Sequence, residues 1–249
     1  MQRYFIKKEQ HQNNQIIING LDYHHITHVM RMKVSDKIMV IDDEENSYET
    51  IINRIDKNQV ILDILNSSKS HSELPINVTI AFGLTKYSKM EEVIRRITEL
   101  GAFEFVGVEM ERSNVRLDRL PLLKTERWEL IVKEASEQSG RTKLMKITPF
   151  LPFSSLLQKS SSFDLCLFAD EEKGKQNDLS LKTILNEFKG KSLLVLIGPE
   201  GGISDQERNL LWNHQFQAVG LGPRILRCET APLYVMSAIS FSKEFSNEN

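Results

Sequence analysis

Cysteine is nearly missing from this chain. Cys166 and Cys228 are the only two in 249 residues, and they form neither a CxxC pair nor a metal-ligand spacing with histidine. Neither a disulfide framework nor a zinc site is therefore expected. Long apolar runs are missing as well. No stretch approaches the roughly 18 residues that a membrane-spanning helix needs. The opening MQRYFIKKEQ holds no apolar segment of signal-peptide length, so a cytoplasmic protein with no membrane partner and no metal is expected. Excess charge is absent too: 32 Lys and Arg against 34 Asp and Glu leave a net charge of -2. This argues against bulk, nonspecific nucleic-acid binding and confines any RNA contact to a local patch. Neither GxGxxG nor GxxxxGK[ST] occurs, so the usual phosphate-cradling loops of dinucleotide and triphosphate sites are missing.

What is present is enough apolar material, 40% of the chain, for one large core or two smaller ones. The first 65 residues alternate short β-type runs, RYFI, KIMVID, YETIINRI and QVILDIL, with polar turns, which suggests a small barrel or sandwich. A helix is expected over DYHHITHVMRMK, opening on Asp22 and placing Ile26, Val29 and Met30 on one face. The Ser-rich stretch Asn66 to Pro75 has linker composition, and it divides a domain at 1–70 from one at 74–249.

Beyond Pro75 strands and helices alternate, the pattern of an α/β domain with a parallel sheet. INVTIAF, FEFVGVEM, FDLCLFAD, SLLVLIG and FQAVGLG read as buried strands. Ser88 to Glu91 has capping-box spacing before a helix that carries Met90, Val93, Ile94, Ile97 and Leu100 and stops at Gly101. A further helix over 125–139 turns Trp128, Ile131, Val132 and Ala135 to a core. Its polar track, Glu134, Gln138 and then Arg141, suits dimer or RNA contacts.

Ligands of open α/β sheets bind outside the carboxyl ends of strands. Two such ends carry unusual loops. SLLVLIG runs into GPEGGISDQE, where Ser204 to Glu207 forms another capping box. FQAVGLG runs into LGPRILRCETAP, where Thr230 is placed to cap the last helix and Pro232 falls in its first turn. Loops of this kind can hold a nucleoside-bearing ligand through backbone groups, with Leu221, Ile225 and Leu226 around the flat base.

GPEGG followed by LGPRILRCETA resembles the RsmE family of SPOUT-superfamily methyltransferases, which make 3-methyluridine in small-subunit (16S) ribosomal RNA. The likeness extends through ITELG, ERS, EASEQSGR and HHITHVMRMKVSD, nearly the whole chain. It implies a PUA-like β-barrel in front of an α/β domain, a parallel sheet with helices on both faces whose C-terminal segment threads a trefoil knot. It further implies a homodimer that binds S-adenosyl-L-methionine and acts on small-subunit ribosomal RNA or the assembled subunit. Carried over by motif, cofactor contacts fall on Ile197, Gly198, Pro199, Glu200, Gly201, Gly202, Leu221, Gly222, Ile225, Leu226 and Cys228, with Ala169 added by its place at a strand end. Arg224 and Arg227 would face RNA phosphate or the target base, and Glu200 or Glu229 would take the N3 proton; the sequence does not choose between them. Cys228 stands where the family commonly has Thr, and small-residue packing is a better reading of it than covalent catalysis. RNA contacts are expected at Arg3, His25, Arg31 and Lys33, at Arg112, Arg116 and Arg119, and at Arg141. The spacing of His24, His25 and His28 also permits a metal, but no further ligands accompany them.

Overall fold

The structure, a computed structural model, describes residues 1–69, 72–117, 125–176 and 180–245, with the side chain of residue 125 excepted. The chain packs as two units, Met1–Glu73 with Ser136–Lys143, and Leu74–Ala135 with Leu144–Asn249. The segment Ser136–Lys143 packs with the first unit.

In that unit, period-two alternation builds a six-stranded sheet from β1 (Gln2–Phe5), β2 (His11–Gln12), β3 (Gln15–Asn19), β4 (Lys37–Ile41), β5 (Asn46–Ile55) and β6 (Gln59–Lys69). The order is β1-β4-β5-β6-β3-β2, and β1 runs parallel to β4 while the other pairs are antiparallel. Ile16, Ile18, Ile38, Val40, Val60 and Leu62, each fully buried, fill one face with Tyr4 and Ile52. The supposed linker is partly strand, because Asn66–Lys69 continues β6 alongside Asn46–Glu49.

The first helix also departs from expectation. It starts at Gly20, not Asp22, as α1 (Gly20–His24), and widens into a π-type turn over His25–Val29 in which Met30 N–H reaches back to His25 C=O at 2.9 Å. The wider turn breaks the helical period. Ile26 is buried, but Val29 and Met30 are 58% and 39% exposed.

The second unit is a parallel sheet of β7 (Asn77–Gly83), β8 (Glu104–Glu109), β9 (Lys146–Pro152), β10 (Leu165–Ala169), β11 (Ser192–Ile197) and β12 (Gln217–Val219), in the order β12-β10-β11-β7-β8-β9. Both faces are covered, so alternate residues of one strand enter different cores. Leu193, Val195 and Ile197 of β11 meet Met90, Val93 and Ile94 of α2 (Tyr87–Glu99), Trp128 and Val132 of α3 (Thr125–Ser139), Leu181 and Leu185 of α6 (Ser180–Glu187), and Val235 and Met236 of α8 (Ala231–Glu244). Leu194 and Leu196 instead meet Leu156 and Leu157 of α4 (Phe153–Lys159) and Leu211 of α7 (Asp205–Asn213). Each such side chain contributes about 1.5–3 kcal/mol by leaving water. The strand at β9 was not expected, because Pro149 and Pro152 speak against a sheet interior; it lies at the sheet edge, where proline is tolerated.

Helix starts are corrected at two places. α2 begins at Tyr87 with no side-chain cap, and Glu91 pairs instead with Arg127 through two hydrogen bonds of 2.6 and 2.9 Å. Thr230 precedes α8 but makes no side-chain cap there, while Pro232 does sit in the first turn. The Ser204–Glu207 box forms as expected, with bonds of 3.2 and 3.0 Å.

Candidate active site

The sheet order turns around between β7 and β11: β8 and β9 extend one way, and β10, β11 and β12 lie the other way. At the carboxyl ends of these last three strands opens a cleft of about 590 Å³. Its walls are the loop after β11 (Gly198–Ile203), the loop after β12 (Leu221, Gly222 and Arg224–Glu229), and Ala169 to Glu172 leading into α5 (Glu171–Lys175). All twelve residues expected to touch a cofactor line it: Ala169, Ile197, Gly198, Pro199, Glu200, Gly201, Gly202, Leu221, Gly222, Ile225, Leu226 and Cys228. Arg112, Arg224, Arg227 and Glu229 line it too.

Two glycines make the second loop possible. Gly222 has φ +90, a conformation costly for any residue with a Cβ. Gly174 in α5 lies so close to this loop that an added Cβ would stand 2.5 Å from the Gly222 carbonyl oxygen. The loop therefore packs on α5 backbone against backbone.

Sequence reasoning missed the polar heart of the cleft. Lys89, on the first turn of α2, places its ammonium 3.2 Å from Glu200 and 3.3 Å from Glu229. Thr85 donates to Glu200 Oε1 through a short hydrogen bond, and Asn114 Nδ2 donates to Glu200 Oε2 at 3.2 Å. No motif marks Lys89 or Thr85; only the fold brings them here. Burial pushes the Glu200 carboxyl up, but hydrogen bonds from Thr85, its own backbone and Lys89 outweigh that and hold it below the usual range. Glu229 is likewise lowered, burial being overcome by its backbone, Cys228 and Lys89. Both carboxylates therefore stay charged as pH falls, and the pairing they supply is lost only when pH drops through their lowered values.

Cys228 is pushed up to about 12, chiefly by burial and then by its hydrogen bond to Glu229 at 3.1 Å. Such a thiol holds almost no thiolate at neutral pH and is no nucleophile. The activity of Cys228→Thr is expected to stay within about threefold of wild type, since threonine can keep the hydrogen bond to Glu229. A single-turnover assay checks this, and complete loss of activity would contradict it.

A second missed pair lies at the cleft wall, where Asp170, 7% exposed, caps α5 and holds Arg208 Nε at 3.2 Å. Arg224 and Arg227 are exposed, and among the described residues no carboxylate pairs with either. Arg224 does not pair with Glu229, which Lys89 occupies.

The expected RNA contacts divide. Arg31 and Lys33 are exposed, and Arg112 is exposed while donating to Gly201 C=O at 3.1 Å. Arg116 is exposed and pairs with Glu109 at 3.3 Å. Arg119 lies outside the described residues. Arg141 is a correction: it is 3% exposed and doubly bonded to Glu73, so it is no surface cation. Arg3 is partly buried, and its Nη1 donates to the Gly140 carbonyl by a short hydrogen bond and to that of Arg141 at 3.4 Å. His25 is partly buried, with its Nδ1 2.9 Å from the Tyr4 hydroxyl. His24 and His28 stack face to face with ring centroids 4.5 Å apart.

Residues 72–240 match the model of an RNA methyltransferase domain, and residues 18–65 that of an RNA methyltransferase PUA domain. Fold and cleft thus define an RNA methyltransferase of two parts, a PUA-like unit and a parallel α/β unit. Full-length likeness narrows this. The chain is 40% identical to Ribosomal RNA small subunit methyltransferase E of Bacillus subtilis, over 98% of both chains, and 32% identical to the Synechocystis protein of that name, over 96% of this chain and 77% of the relative. A crystal structure of Ribosomal RNA small subunit methyltransferase E from Neisseria gonorrhoeae, bound to S-adenosyl methionine, superposes with a TM-score of 0.84 at 25% identity, covering 99% of this chain and 100% of that one. The chain belongs to the ribosomal RNA small subunit methyltransferase E family.

Proposed function

We propose that this chain transfers the methyl group of S-adenosyl-L-methionine to N3 of a uridine in small-subunit ribosomal RNA. The observation that carries the reading is the convergence of two loops, one after β11 and one after β12, on one cleft of about 590 Å³. That volume suits a small-molecule cofactor. The residues fit the group: Ile197, Leu221, Ile225 and Leu226 offer apolar surface to an adenine, and the Gly198–Gly202 loop offers backbone hydrogen-bonding groups. When bound, the cofactor supplies an electrophilic methyl on a sulfonium.

The chain's own residues then have distinct tasks. Arg227 and Arg224, exposed at the cleft, bind the RNA and stabilise the anion that forms when uridine loses its N3 proton. Glu200 and Glu229, held ionised with lowered proton affinity, act as anchors of the loops and not as the proton acceptor; the proton leaves to water. Arg31 and Lys33 grip the RNA through phosphate contacts. The protein acts in the cytoplasm, and as a homodimer; the dimer is supported by the apolar side chains left outside on and just after α8, Phe241 at 74% and Phe245 at 72% exposure.

Calorimetry with S-adenosyl-L-methionine is expected to show one site per chain. Mass spectrometry of 16S ribosomal RNA from cells lacking the protein is expected to show loss of one 3-methyluridine. Absence of binding, or an unchanged modification pattern, would overturn the reading.

A further inference from the structure

We infer that Lys89 is the positioning residue of this cleft: its single ammonium ties the Glu200 loop to the Glu229 loop, and the cofactor site exists in its binding shape only while that tie holds. The inference rests on the proposed binding of S-adenosyl-L-methionine and adds the device that assembles its site.

Three observations carry it. Glu200 belongs to the loop after β11 and Glu229 to the loop after β12, and Lys89 lies within 3.3 Å of both carboxylates. The remaining partners touch one side only: Thr85 and Asn114 bind Glu200, and Cys228 binds Glu229. Among the described residues, then, Lys89 alone bridges the two loops through side-chain charge. The bridge also stands on a rigid base, since the neighbouring Met90, Val93 and Ile94 of α2 are fully buried in the core.

Charge makes the tie necessary. Two carboxylates against one ammonium leave the cluster with one excess negative charge, and with the ammonium gone the carboxylates face each other unneutralised. All three side chains are partly withdrawn from water, at 31%, 26% and 16% exposure for Lys89, Glu200 and Glu229, so screening is weaker than at an open surface. Repulsion would drive the loops apart and open the cleft between Gly198–Gly202 and Leu221–Cys228.

The test is charge rescue, read by calorimetry with S-adenosyl-L-methionine on the full chain. Lys89→Met is expected to weaken binding about tenfold or more, which corresponds to about 1.4 kcal/mol. Lys89→Met combined with Glu229→Gln is expected to recover affinity to within about threefold of wild type, because the repulsion has been removed. Lys89→Arg, which keeps the charge, should bind nearly as well as wild type. Unchanged binding by Lys89→Met would overturn the inference, and so would failure of the double variant to recover while its circular dichroism and melting match wild type. Failure of the wild-type chain itself to bind would instead defeat the proposed function.

Discussion

Arg227→Ala is expected to lower the single-turnover rate of RNA methylation by about 10²–10³-fold, the usual cost of deleting one donor that stabilises a developing anion. Cofactor affinity should change by less than about twofold. The reasoning is geometric. Arg227 lies in the loop that closes the cleft, one residue before Cys228 and two before the anchored Glu229, so its backbone is fixed. Its side chain is exposed and, among the described residues, has no carboxylate partner to hold it elsewhere. A cation held by its backbone yet free at its tip is suited to meet charge arriving from outside. Arg224 stands three residues earlier, beyond the apolar Ile225 and Leu226, and its removal should act mainly on RNA affinity and its salt dependence. A near-normal single-turnover rate for Arg227→Ala would exclude it from the reaction.

Glu73→Ala is expected to destabilise the first unit by about 3–5 kcal/mol, the range for stripping a buried charge of its partner. Arg141 has a side chain only 4% exposed, and it binds Glu73 through Nη2 at 2.6 Å and Nε at 3.2 Å. Glu73 also accepts the backbone N–H groups of Thr142 and Lys143 at 2.8 and 3.1 Å. One carboxylate thus satisfies a guanidinium and the turn that follows it. Its loss would take the carboxylate acceptor from Nη2 and Nε of Arg141 and from the N–H groups of Thr142 and Lys143. Urea denaturation should show the midpoint moving sharply downward, and the double change Glu73→Gln with Arg141→Met should recover much of the loss, because no lone charge remains. An effect under about 1 kcal/mol for Glu73→Ala would mean that water reaches Arg141.

The fate of Arg141 illustrates what one sequence reveals and what it conceals. The strands from β7 to β12 were largely legible, because burial on both faces produces unbroken apolar runs such as SLLVLI, and the loops around the cleft were legible because Gly and Pro mark backbone that must do something unusual. β9 was hidden, since Pro149 and Pro152 imitate a loop. β3 went unrecognised because its three isoleucines, QIIIN, sit in a very short run. Arg141 was taken as a surface group for a simple reason: an exposed cation and one paired with a distant carboxylate are the same letter. Lys89 escaped for the same reason in reverse, as its two partners lie 111 and 140 positions further along. Burial pattern is local and readable; charge pairing across a fold is neither.

The placement of the last loop sets a schedule for the protein as it is made. Two of the cleft's three walls are ready once β11 and the turn after it have emerged, yet Leu221 to Glu229 must still arrive, seat their backbone on Gly174 and present Glu229 to Lys89. A nascent chain halted anywhere before that point already owns most of its hydrophobic core but no methyl-donor pocket. Catalytic competence is therefore acquired only after Glu229 has emerged.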